Sequence, residues 1–182
     1  MKETRVAYRY AKSLVDLAAE NGVLDQVNAD MNGIESVFKQ SHELATIMKN
    51  PIIQGDKKAA ILTSLFKSKV NPFTMTLMDL LVKKQRENIV FEITSEFQKQ
   101  YREIKGIKIV EVTTTHAIND EQRANFKTIM ASKANEVVLV EKIDEAILGG
   151  FVLRMDDQQV DESVRTKLRT IKNKFTEQVI NY

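Results

Sequence analysis

Ile147-Leu148-Gly149-Gly150-Phe151-Val152-Leu153-Arg154-Met155-Asp156-Asp157-Gln158-Gln159-Val160-Asp161-Glu162-Ser163-Val164-Arg165-Thr166-Lys167-Leu168 is the stretch from which the rest of the chain is read. Gly149 and Gly150 are two of only six glycines in 182 residues. Behind them Phe151, Leu153 and Met155 alternate with Val152 and Arg154, the pattern of a half-buried strand. Asp156 to Gln159 form a polar turn, and Asp161 or Ser163 caps a helix that begins near Val164. The unit is strand, turn, helix. A phosphate loop would set the glycines between a strand and a helix N-terminus, where amides and dipole face the anion. Here they lead into a strand, so the pair serves a bend or a close backbone approach.

Working outward, the period of the chain changes at Gly106. Ile107 to Thr115 is rich in Ile, Val and Thr and predicts a strand, which places a domain boundary near residue 105. Asn119 with Gln122 three residues on predicts a capping box for a helix through Ala134, with Phe126, Ile129 and Met130 on its apolar side. Val137 to Val140 predicts a second strand. The last helix repeats Val164, Leu168, Ile171, Phe175 and Val179 at spacings of four, three, four and four. Arg165, Lys167, Arg169, Lys172 and Lys174 occupy its remaining surface. Such a seam docks on the sheet or on a partner helix, and the basic face is either solvated or meets an acidic partner.

The first hundred residues are helical in period. Val6, Tyr10, Leu14 and Leu17 recur from Thr4 to Glu20 beside a stripe of Ala7, Ala11 and Ala18, with Thr4 as N-cap and Gly22 as stop. A second helix carries Val27, Met31, Ile34 and Phe38. Ser41 caps a short third ending at Asn50-Pro51. Lys57 to Phe66 is a fourth, and Asn71-Pro72 opens a fifth. Asn88 opens a sixth that holds Ile89, Ile93, Phe97, Tyr101 and Ile104. The expected fold is mainly α with a small α/β part: a six-helix bundle over 1–105, then a domain of a few strands and two helices over 106–182. The fifth helix, with Met75, Leu77, Met78, Leu80, Leu81 and Val82, is apolar on more than one face. It is therefore central, or it offers a second face to something outside the chain.

Composition removes several function classes. The net charge of +2 lacks the single-sign surplus of a dedicated nucleic-acid binder. There is no cysteine, so no disulfide framework or thiolate nucleophile. No apolar run is long enough to span a membrane. The first residues enter a helix without a hydrophobic or Arg- and Ser-rich leader, which favours a bacterial protein over an imported one. His42 and His116 lack chelating or nucleophile-activating spacing and read as surface residues. Asp156-Asp157 and Asp161-Glu162 lack the alternation of a calcium loop, and turn and cap duty explains them.

Leu148-Gly149-Gly150-Phe151-Val152-Leu153-Arg154, followed by Asp161, Ser163, Val164 and Leu168, resembles the C-terminal signature of the delta subunit of F-type ATP synthases. That family is the bacterial counterpart of the mitochondrial oligomycin-sensitivity-conferring protein. Asp156-Asp157 and Glu162 stand where its members commonly have glycine. Arg9-Tyr10-Ala11-Lys12-Ser13-Leu14, followed by Leu17-Ala18, is similar to the family's first helix. The resemblance implies a stator subunit without cofactor, metal or active site. It would join the catalytic head to the b-type peripheral stalk and resist rotor torque during proton-driven synthesis, as one copy in a hetero-oligomer. It implies that the first and fifth helices receive the N-terminal helix of an alpha subunit, on Tyr10, Ala11, Leu14 and Ala18 and on Met75, Met78, Leu81 and Val82. It further implies that residues 106–182 grip the stalk, at the cytoplasmic face of the bacterial inner membrane without insertion into it. The competing expectation is a nucleic-acid or ribosome-associated adaptor working through the basic last helix. Phosphate-led binding weakens steeply with salt and an apolar groove does not.

Overall fold

The structure, a computed structural model, describes residues 2–130 and 135–180, with side chains for 4–130 and 135–173. The chain divides into two compact units, residues 1–104 and 105–182.

The first unit holds α1 (Lys2–Glu20), α2 (Leu24–Gln40), α3 (His42–Lys49), α4 (Gly55–Phe66), α5 (Pro72–Lys83) and α6 (Val90–Lys105). Their ends follow local chemistry. Gly22 takes φ +67 and closes α1, with its amide donating to the Ala19 carbonyl and that of Val23 to Ala18. The Ser41 hydroxyl accepts from the Leu44 amide at 3.2 Å to start α3. Asn71 Oδ1 accepts from the Phe73 amide at 3.1 Å, with Pro72 as the first residue of α5. Two expectations shift. Thr4 is no cap, because α1 already runs from Lys2. Asn88 lies inside a 3-10 turn, Glu87–Ile89, and α6 starts only at Val90.

One core joins these helices: Ala7, Ala11, Leu14, Val15 and Ala18 of α1, Val27, Met31 and Ile34 of α2, Met48, Leu62, Met78, Leu81, Ile93 and Phe97. Burying a large apolar side chain is worth about 1.5–3 kcal/mol, so this cluster supplies most of the drive for folding the unit. One ion pair lies inside it. Lys58 Nζ donates to Glu87 Oε1 at 2.6 Å and to the Met48 carbonyl at 3.0 Å, which fastens α4 to the end of α3 and to the 87–89 turn.

The second unit is a four-stranded sheet, β1 (Ile107–Thr114), β2 (Glu136–Ile143), β3 (Phe151–Met155) and β4 (Gln158–Asp161), in the order β2-β1-β3-β4. β1 and β2 are parallel, joined through α7 (Asp120–Met130), and β3 lies antiparallel to β1 and to β4. The expected turn of Asp156 to Gln159 is shorter than the sequence suggested. Met155 pairs with Gln158 in register, so only Asp156 and Asp157 turn and the rest is strand. Asp156 takes φ +50, a value glycine adopts without strain. The capping box at α7 is reciprocal: the Asn119 amide donates to Gln122 Oε1 at 3.0 Å and the Gln122 amide to Asn119 Oδ1 at 2.8 Å. The expected extension of this helix to Ala134 lies outside the described residues beyond Met130.

α7 covers one sheet face. Phe126 and Met130 pack with Val110, Val112, Ile118 and Leu153, and the Phe126 and Phe151 rings meet edge-on at 5.2 Å. Arg123 Nε reaches Glu141 on β2 at 2.7 Å. The other face leaves Ile109, Val138 and Val140 exposed. The last helix, α8 (Val164–Ile180), leaves β4 and packs on the 3-10 turn Glu145–Ile147.

Candidate docking surfaces

In the first unit the small residues of α1 decide what its surface can offer. Ala7, Ala11 and Ala18 are fully buried, and α1 packs against α5 and α2. Alanines let neighbouring helices approach closely, which consumes that stripe in the core and leaves Leu17 outside, 40% exposed. α5 behaves in the same way. Thr74, Leu77, Met78 and Leu81 face inward, while Leu80 is 40% exposed. Beyond the end of α5 the Arg86 guanidinium lies 5.9 Å from the centre of the Tyr10 ring, a cation–π contact that ties this end to α1. A cleft of about 360 Å³ lined by Arg9, Tyr10, Ser13 and Arg86 opens beside it.

The sequence-derived groove residues therefore separate into three sets. Met78 and Leu81, expected to receive the guest helix, are 2% and 1% exposed and belong to the core, as do Ala11, Leu14 and Ala18. Packing claims them because α5 presents its most apolar stripe to the other helices. Tyr10 and Met75 are half-buried and reach the surface. Val82 is also half-buried but lines a different cleft with Gly55, Lys58 and Glu87 at the start of α4. Sequence reasoning missed Leu17 and Leu80 as exposed positions. The available signal was spacing, since Leu17 stands seven residues after Tyr10, on the rim of the alanine stripe.

In the second unit the glycine pair has a defined task. Gly149 and Gly150 take φ +154 and +76. A Cβ on Gly150 would collide with the Glu162 carbonyl, and one on Gly149 would press on Val164 at 3.2 Å. The Val164 amide donates to the Gly149 carbonyl and the Glu162 amide to that of Phe151, each at 3.0 Å. Bare backbone is what lets the start of α8 lie against the start of β3. Both expected caps act there. Asp161 Oδ1 accepts from the Ser163 amide at 2.9 Å, and the Ser163 hydroxyl accepts from the Thr166 amide at 3.2 Å. The Ser163 hydroxyl and amide, and the Thr166 hydroxyl after them, hold the Asp161 carboxyl below the usual aspartate range. Leu148, Arg154 and Leu168 of the same signature are exposed, Phe151 is half-buried, and Ser163 is 2% exposed.

No chemistry-bearing constellation accompanies these surfaces. Among the described residues no group of three His, Asp or Glu could hold a metal ion, and no helix is long and apolar enough to cross a membrane. His42 and His116 are exposed or nearly so.

The profile of the family described as ATP synthase delta (OSCP) subunit matches residues 6–175. This chain belongs to that family. It is 76% identical over 182 residues to the ATP synthase subunit delta of Cytophaga hutchinsonii, covering both chains completely. It is 41% identical over 174 residues to that of Amoebophilus asiaticus, covering 94% of this chain and 95% of the other. Its fold matches a chain of the Toxoplasma gondii mitochondrial ATP synthase hexamer with a TM-score of 0.69 at 21% identity, over 93% of this chain and 97% of that one. Members of the delta family are non-catalytic stator components that link the catalytic head to the peripheral stalk. The adaptor reading of the basic last helix receives no support from these relatives.

Proposed function

We infer that, within the stator role of the delta family, residues 1–104 act as one helical bundle that holds the catalytic head, and residues 105–182 hold the b-type stalk. The contact on the head is the N-terminal amphipathic helix of an alpha subunit, received by the outer surfaces of α1 and α5. The observations that support this are the exposed apolar residues Leu17 on α1 and Leu80 on α5, each 40% exposed, with Tyr10 and Met75 of the same helices half-buried. An amphipathic helix recognises such anchors by burying its own apolar face on them. The subunit sits once in the complex, peripheral to the cytoplasmic side of the bacterial inner membrane.

A tether under torque makes and breaks no covalent bonds. It needs slow dissociation at both ends and little compliance between them, and the buried Lys58–Glu87 pair and the α7–β2 contact of Arg123 with Glu141 stiffen each unit internally. The test uses the double variant Leu17→Asp/Leu80→Asp at these partly exposed positions, first checked by circular dichroism to keep wild-type helicity and a cooperative melt. Loss of a central anchor typically costs about 2 kcal/mol, roughly 30-fold in affinity, when the variant is titrated with the alpha-subunit N-terminal peptide. Affinity equal to wild type would place the head contact elsewhere. Met78→Asp is the control: it should unfold the unit, because it puts a charge into the core.

A further inference from the structure

The sheet of the second unit ends in two unlike edges. β4 on one side is four residues long, exposed throughout and mostly polar, so it offers little to another strand. β2 on the other side runs unbroken for eight residues, with β1 as its one strand neighbour among the described residues. It has none of the devices that blunt an edge: no proline, no bulge against β1, and an uncharged apolar centre from Val137 to Val140. Its outward backbone groups are a template for a further strand. α7 lies on a face of the sheet and not along this edge, since Phe126 and Met130 pack on Val110, Val112 and Leu153. On the opposite, open face of β2 stand Glu136, Val138, Val140 and Lys142, all exposed, with Val138 and Val140 at 42% and 46%.

This pattern is complementary to itself. Backbone and side-chain directions both alternate with period two, so a strand that meets its own copy antiparallel pairs only residues an even number apart. Centred on Val138, Glu136 meets Val140 and Lys142 meets no residue of the strand. Centred on Val140, Glu136 faces the like charge of Asp144 and Lys142 faces Val138. Centred on Leu139, Glu136 faces Lys142 and Val138 faces Val140, each twice, and opposite charges and apolar pairs directly across a sheet are the stabilising combinations. Glu141 then falls opposite Val137 on the α7 face, where Arg123 already holds its charge at 2.7 Å. Lys142 is 3.9 Å from Glu111, an exposed contact that is exchanged at little cost.

We propose that two copies of the free chain pair through their β2 edges, antiparallel about a two-fold axis at Leu139, and join their sheets into one. Such an interface is isologous and closed, so association stops at the dimer. It hides an apolar edge that would otherwise recruit strands at random. The pairing concerns the chain outside the complex and does not depend on which surfaces hold the head and the stalk.

Sedimentation velocity of the full chain over a concentration series should show a monomer–dimer equilibrium. Lys142→Glu sets a like charge against Glu136 at both ends and should weaken the dimer at least tenfold. The exchange Glu136→Lys/Lys142→Glu should restore it to within threefold of wild type. The register is read separately, because the chain has no cysteine and a single introduced thiol is unambiguous. Glu136→Cys and Lys142→Cys stand opposite one another in the pairing, with about 5 Å between Cα atoms, within reach of a disulfide. Two copies of the same variant keep their thiols about 20 Å apart along the strand. Mild oxidation of the mixture should therefore give the mixed disulfide dimer, and each variant alone should not. Circular dichroism first matches every variant to wild type. A chain that stays monomeric up to its solubility limit leaves β2 to an extended strand of another polypeptide and overturns the proposal. A dimer indifferent to both charge variants, or one in which either thiol cross-links to itself as fast as the mixture does, overturns it as well.

Discussion

A Cβ on Gly150 would stand 2.3 Å from the carbonyl oxygen of Glu162, closer than side-chain carbons approach backbone oxygen. The backbone there also holds φ +76, which L-residues adopt at a cost of about 1–2 kcal/mol. Gly150→Ala should therefore destabilise the second unit by at least about 2 kcal/mol and move the start of α8 away from β3. For a unit of this size that is a fall in Tm of roughly 10 °C, read by circular dichroism. A melting temperature within a degree or two of wild type would show that the strand and helix separate without penalty.

Lys58 and Glu87 form an ion pair with side chains only 4% and 10% exposed. Removing one member strands the other charge, and such losses run to about 3–5 kcal/mol. Lys58→Met alone should cost about that much in urea unfolding. The double variant Lys58→Met/Glu87→Leu should recover most of it, because two apolar groups leave no charge unpaired. A double variant no more stable than the single one would mean that the link to the Met48 carbonyl, and not the pair, is what matters.

Asp161 should give the α8 N-terminus a dependence on pH. Its carboxyl is depressed in the folded chain by the Ser163 hydroxyl and amide and by the Thr166 hydroxyl. A depressed acid contributes stability that is complete above the ordinary aspartate range and is lost as pH falls through the folded value. The start of α8 should hold at neutral pH and loosen in acid, with the Asp161 carboxyl resonance titrating below that of a free aspartate. Asp161→Asn should flatten the dependence by removing the titrating group. An ordinary titration midpoint for Asp161 would contradict the capping role.

Among the described residues, the buried cluster of the first unit draws on positions from Ala7 to Phe97. A fragment of residues 1–104 should fold alone and give an almost wholly helical dichroism spectrum with a cooperative melt. A molten or unfolded fragment would mean that the remaining residues complete its core.

Local interactions were legible in the sequence, and relations between distant segments were not. The Ser41 cap, Asn71-Pro72, the Asn119–Gln122 box and the Gly22 stop act over two to five residues, so their chemistry is written in adjacent letters. The helical periods of α1, α2 and α6 survive for the same reason: a spacing of three and four fixes which residues share a face. The face that meets a neighbour is another matter. Met78 and Leu81 are core while Leu80 is exposed, because the docking of α5 on α1 and α4 chose among several apolar stripes. Lys58 and Glu87 stand 29 positions apart, and no local pattern announces that they meet. Polar Gln158 and Gln159 predict turn, and pairing with β3 makes them the first half of β4, a strand at an exposed sheet edge. Sequence determined the helical periods, the caps at Ser41, Asn71 and Asn119 and the bare backbone at Gly149 and Gly150. Tertiary structure decided burial, strand order and which apolar residues remain for a partner, since those depend on contacts between segments that share no local period.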